Sequence, residues 1–292
     1  MAARRTTATL EKLKLRLDAL VATYDARYLT TDPLQFLHRY DDPDDREIVG
    51  LVASSLAYGQ VGQVLASVGA VLEFLGPRPA RAVDGLDASW ALRGLARFKH
   101  RFNDGRDVVC LLEAARRARA RWGSLGALLA SGFRSEARDV EGALAGFSRE
   151  MLGLMDGRLY GPAGEVPASA RFFFPAPPAS ACKRLNLYLR WMVRPRDGLD
   201  FGQWTGVPPR ALVVPLDTHV ARICGRLGLT RRRTAGWAMA REITDGLLRL
   251  DPDDPVRYDF AICRLGILDR CPPRRDPLLC AECALLDVCR HR

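Results

Sequence analysis

Four cysteines, Cys271, Cys280, Cys283 and Cys289, follow one another as C-x8-C-x2-C-x5-C, so half of the chain's eight cysteines fall within 19 residues. Four thiolates this close in sequence can wrap one metal centre. Only the middle pair forms a CxxC knuckle, whereas a structural zinc site usually builds two paired knuckles or a Cys/His mixture. A single CxxC flanked by two lone cysteines suits a cubane [4Fe-4S] cluster, whose iron corners point in four directions. Zinc is the alternative on the same spacing, and four unrelated thiols the plainer one.

The chain has 292 residues and is 48% hydrophobic, enough for one large or two ordinary domains with a substantial core. Its net charge of +10 favours a polyanionic partner, nucleic acid first and an acidic membrane surface second. Only Lys12, Lys14, Lys99 and Lys183 among the 44 basic residues are lysine. A chain that meets its need for charge with arginine marks its lysines as candidates for chemistry, since a desolvated lysine can act as a Schiff-base amine and arginine cannot. Lys, Arg, Glu and Asp interrupt residues 1–20 throughout, which predicts no secretory signal. No run approaches the roughly 18 apolar residues of a membrane span. Clustered thiols without a signal point to the cytoplasm and to metal rather than disulfides.

Apolar periodicity predicts helices over residues 7–28, 46–58, 64–75, 88–103, 107–122, 124–132, 136–155, 180–193, 217–227, 234–250 and 255–268, with caps at Asp107, Ser124, Ser135 and Ser180. Strand signals are sparse, so the class is all-α. The stretch 156–180, rich in Gly, Pro, Ala and Ser, is the longest break, and its Phe172-Phe173-Phe174 reads as a packing plug.

Two segments precede the cysteines in the chemical pattern: Lys183-Arg184-Leu185-Asn186-Leu187-Tyr188-Leu189 and Leu216-Asp217-Thr218-His219-Val220-Ala221-Arg222. Together with the cysteine loop they resemble the helix-hairpin-helix DNA glycosylases (the HhH-GPD superfamily) of the endonuclease III and MutY type. The first is similar to that family's K-x-x-N-x-x-L helix, whose lysine is the nucleophile of bifunctional members. The second is similar to its VDTH stretch, whose Asp is the catalytic carboxylate. The loop is similar to its C-x6-C-x2-C-x5-C iron–sulfur loop. The likeness is best over 180–292 and places the chain in a divergent bacterial branch. Where the family has L-P-G-V-G, this chain has Pro175 to Cys182 without either glycine. Those glycines expose backbone amides to a DNA phosphate in the family. Lys183 and Asp217 are further apart in sequence than in endonuclease III, and eight residues rather than six separate Cys271 from Cys280.

The resemblance implies a two-lobed helical fold: residues 1–29 packing with the C-terminal lobe, a barrel-like lobe over 30–215 with a degenerate hairpin near 175–183, and a lobe over 216–292 carrying the aspartate and the cluster. It implies base-excision chemistry on duplex DNA by a monomer, with Lys183 as nucleophile and Asp217 stabilising charge on the sugar or taking a proton. The attacking amine must be neutral, a demand that burial or a cation such as Arg184 helps to meet. Arg184, Arg270, Arg274, Arg275 and His219 are the expected phosphate contacts, and Tyr58 and Gln60 stand where the family fills the gap left by a flipped base. Each residue also has a plainer role: Asp217 as a helix cap, His219 and Asn186 as structural groups, Tyr58 as a buried ring at a helix break, the arginines as a solvated terminus. Cys110, Cys182, Cys224 and Cys263 read as core thiols. The alternative function is a non-catalytic iron–sulfur or zinc protein that reads nucleic-acid structure.

Overall fold

The computed structural model describes residues 7–268 and 271–290. The fold is all-α: among these residues the only strands are Lys99–His100 and Asn103–Asp104, an antiparallel pair. No described helix is long and apolar enough to cross a membrane.

Local chemistry moves several boundaries from where periodicity set them. The first helix is Thr7–Thr23, because Asp25 accepts the Arg27 N–H and opens a separate 3-10 segment. The helix expected over 88–103 covers only Ala88–Gly94. Beyond it the chain turns back at Arg101, whose φ of 54° is left-handed. The Asn103 side chain donates to Asp107 and to the Ser169 carbonyl, which holds the strand pair in place. The following helix, Gly105–Trp122, is capped by Asp104 rather than Asp107. Asp107 completes a capping box by accepting the Asp104 N–H, which satisfies donors at the helix start. Ser135 bonds Glu136 and caps nothing; that helix runs over Glu141–Leu154.

The helix Pro43–Ser55, capped by Asp42 with Pro43 in its first turn, is the centre of the core. Ile48, Val49, Leu51, Val52 and Ala53 have no exposed surface. The Pro33–Arg39 segment, the short Pro79–Asp84 helix and the Lys183–Val193 helix cover it on different sides. Glu47 on this helix is buried, and its carboxylate accepts from Arg119, the Leu125 and Gly126 N–H groups and the Trp204 indole. Four donors on one buried carboxylate offset its desolvation and lock four segments together.

The aspartate-led helix Thr218–Arg226 and the first helix both pack on the helix Asp259–Leu268. Leu13, Leu17 and Leu20 form the buried seam of the first helix; burying each such side chain is worth roughly 1.5–3 kcal/mol. Gly266 permits the close approach of the first pair, since a Cβ there would stand 2.7 Å from the His219 side chain.

Candidate functional site

The Lys183–Val193 helix starts without a side-chain cap. Ser180, the expected cap, instead accepts the N–H of Cys182, which sits at a left-handed φ of 49°. Ser180 N–H closes the preceding turn on the Ala176 carbonyl. The backbone is therefore already committed to a tight turn before the helix begins, and the cap position falls on Cys182, two residues beyond Ser180. The Asn186 amide ties back to the Ala181 carbonyl. This start aims Lys183 at the end of the Pro43–Ser55 helix, where its Nζ donates to the Ala57 carbonyl at 3.2 Å.

Asp217 is the cap of its helix: one carboxylate oxygen accepts the Val220 N–H at 2.7 Å. Its second oxygen accepts from the Cys263 thiol at 3.3 Å. Lys183 and Asp217 line one cavity of about 600 Å³, together with Tyr58, His219, Asp259 and Cys263. Cys263 is thus not simply a core thiol. Burial, followed by the charges of Asp217 and Asp259, pushes its thiol well above the ordinary range, so it stays a donor.

Sequence reasoning missed the charged wall of this cavity. Arg190, on the lysine helix, donates to Asp259 at 2.6 Å and to Asp200 at 3.3 Å. Arg194 continues the ladder to Asp200, Asp197 and Asp254. Arg264 reaches Asp32 at 3.0 Å and the Thr31 hydroxyl at 2.9 Å. Burial pushes the Asp259 carboxyl up to about 6; Arg190 opposes this and Asp217 adds to it. The available signal was Asp259 and Cys263, four residues apart and so on one face of a helix whose one other polar residue is Arg264, though nothing local names their partners.

Arg184 is a correction. It is 6% exposed, donates to the Ser55 and Phe172 carbonyls, and lies 3.7 Å from the Phe172 ring centre. Burial pushes its guanidinium down to about 10. Its donors are spent inside the fold, so it is no phosphate contact. Tyr58 is held from both sides, its hydroxyl donating to Asn103 with the His100 carbonyl also within reach, and its ring packed on His100, Phe102 and Phe172. Gln60 is exposed beside it and leads the Val61–Leu75 helix. His219 accepts from Arg222 at its Nδ1, 3.1 Å away. Phe173 and Phe174 are buried as expected of a plug, whereas Phe172 is partly exposed.

The cysteine loop lies elsewhere. Cys271, Cys280, Cys283 and Cys289 line a second cavity, of about 420 Å³. Among the described residues no three His, Cys, Asp or Glu side chains converge closely enough to hold a single metal ion. Burial, with Cys271, Cys289 and Cys280 nearby, holds the Cys283 thiol above its ordinary range. Arg226 donates to the Cys271 sulfur at 3.0 Å and to the Pro272 and Pro273 carbonyls. Asp287 pairs with Lys12 and Arg16 of the first helix. Arg274 and Arg275 are exposed on this loop, and Arg270 lies outside the described residues.

A search of curated proteins finds no match to the chain. A family model described as a protein of unknown function, DUF2400, matches residues 32–268, a span that holds Lys183, Asp217, Asp259 and Cys263 and stops short of Cys271. The chain belongs to that family.

Proposed function

We propose that the protein is a DNA glycosylase with lyase activity that removes a damaged or mispaired base. The observation that supports this most directly is the meeting of Lys183 and Asp217 in one cavity large enough for a nucleotide base. In this reading the Lys183 amine, as the neutral base, attacks the sugar C1′ while the C1′–N bond breaks. The departing base takes up a proton, and the attacking nitrogen loses one to Asp217. Asp217 returns that proton to the ring oxygen as the C1′–O4′ bond opens, leaving a protonated imine, and loss of the C2′ proton then expels the 3′ phosphate. The Asp217 oxygen not used by the helix cap is the one able to act, and the Cys263 thiol orients it. The Arg190–Asp259 pair fixes the wall behind it.

The four loop thiols are all sulfur donors that line one cavity, and their spacing, a single CxxC with two lone cysteines, suits a cubane cluster better than the paired knuckles of a zinc site. Cys271, Cys280, Cys283 and Cys289 would hold a [4Fe-4S] cluster. When bound it would cross-link the loop and take no part in hydrolysis or β-elimination. The two-lobed arrangement divided near residue 215, and a loop that presents Arg274 and Arg275 to phosphate, belong to the same proposal.

The test is borohydride trapping on a duplex with an abasic site. A covalent adduct that is lost in Lys183→Ala, and base release lost in Asp217→Asn, are the expected results. No adduct with wild-type protein that still binds the duplex would remove the lysine from the mechanism.

A further inference from the structure

Three rings, of which Tyr58 lines the cavity, meet outside the chemistry of Lys183 and Asp217. The strand pair 99–104 turns at Arg101 and Phe102. Phe102 is 49% exposed and Phe172 is 36% exposed, unusual for rings that could pack inward. They meet edge to face at 4.8 Å, and Tyr58 touches both, at 5.4 Å and 5.1 Å. The rings are held in place from within: the Tyr58 hydroxyl is bonded to Asn103, and the buried Arg184 guanidinium stacks on Phe172. Arg101 and Arg171 are exposed beside Phe102 and Phe172 in sequence, and Lys99 is exposed on the strand pair whose turn holds Arg101 and Phe102.

The patch is continuous with the cavity. Tyr58 and Gly59 line the cavity, and Tyr58 also supports the two exposed rings. Gly59 has a φ of 97°, and the Arg101 side chain passes 3.0 Å from where its Cβ would be. The arginine side chain therefore lies against Gly59, a residue of the cavity lining.

We propose that Phe102 and Phe172 form a stacking platform for an unpaired base next to the nucleotide in the cavity, with Lys99, Arg101 and Arg171 meeting the phosphates of that single-stranded stretch. Charge selects this occupant: exposed aromatic faces interleaved with cations match a polyanion whose every base offers a π-face, and the whole chain carries a net charge of +10. The inference rests on the nucleic-acid reading of the cavity and adds that its substrate is locally unpaired. Rings already fixed by Tyr58 and Arg184 lose little freedom on stacking, which favours binding.

The test uses the full chain and a short single-stranded DNA carrying a fluorescent, stacking-sensitive adenine analogue. Wild type should bind and quench the analogue. Phe102→Ala should weaken binding by about tenfold and abolish the quench, with the salt slope unchanged, and Phe102→Trp should restore both. Arg101→Ala should keep the quench and lower the salt slope by about 0.7. Equal binding and quenching by Phe102→Ala and wild type would overturn the platform. So would failure of wild type to bind the strand, which would leave the rings to a protein partner. Borohydride trapping separates this from the cavity chemistry. An adduct without Phe102-dependent quenching leaves Lys183 in place and removes the platform. Phe102-dependent quenching without an adduct does the reverse.

Discussion

Around the cavity, Arg190 meets Asp259 and Asp200, Arg264 meets Asp32, and both Asp217 oxygens have donors. The cysteine loop is assembled from less. Its Pro277–Ala281 helix buries no residue and Leu278 is 83% exposed; among the described residues of the loop Leu285 is the one fully buried hydrophobic, with Cys271, Cys283 and Val288 partly buried against the core. Arg226 and the Asp287 pairs with Lys12 and Arg16 anchor it at few points. The cavity wall is thus braced by buried ion pairs, whereas the loop, on the reading proposed above, would depend on the cluster its thiols would hold. The two regions should respond to different perturbations.

The largest effect is expected in the cavity wall. Arg190→Met leaves Asp259 and Asp200 buried with one counter-charge fewer, and breaking a buried pair in this way costs about 3–5 kcal/mol. Denaturant unfolding measures it. A loss below about 1 kcal/mol would mean that the ladder does not brace the cavity, and the contrast with the loop would fail.

Asp259 sharpens the same point through pH. Its folded-state carboxyl titrates at about 6 against an ordinary 3.8, mainly because it is buried. The native state therefore holds this proton more tightly than the unfolded chain. Its contribution is fully present below 3.8 and is lost as the pH rises through about 6. Asp259→Asn should flatten the fall in stability across that window by roughly 1–3 kcal/mol. An unchanged slope between wild type and variant would refute the assignment.

Cys283→Ser tests the other side of the comparison. Bound metal should be lost, and amide exchange should rise within 271–290, while the main unfolding transition moves by less than about 1 kcal/mol. If the whole chain loosens instead, the loop is integral to the core and the two regions are one. A smaller effect is expected at Cys263. Cys263→Ala should lower base-release kcat several-fold with KM unchanged, and Cys263→Ser should restore it, because serine keeps a donor for Asp217. Equal rates in both variants would leave the thiol a packing group.

How much of this was legible in the sequence follows from what each feature depends on. The all-α class rests on apolar periodicity, a local property, and Asp217 as a cap needs only the residues beside it. The strand pair at 99–104 was missed because it depends on Asn103 bonding Ser169, 66 positions away. Arg184 misled for a similar reason: on a helix start it reads as solvated, and only the fold brings Phe172 and Ser55 against it. The Asp259–Arg190 pair spans 69 positions, and nothing local to either residue announces it.

Arg274 and Arg275 give the smallest effect and the most discriminating one for the loop. Both are exposed, and changing them touches no buried group. If the loop offers them to a phosphate backbone, each contact releases counterions, so Arg274→Ala with Arg275→Ala should lower the slope of log K on log salt by about 2 on duplex DNA. Lost charge anywhere on the surface weakens binding at low salt, so affinity alone would not localise the effect. The slope counts contacts, and a pair outside the loop sequence, Arg231 and Arg232, also exposed, supplies the control. Equal slope changes from both pairs would mean diffuse attraction. A change confined to the loop pair would make the weakly anchored region the one that grips the polyanion, with the rigid cavity left to do the chemistry.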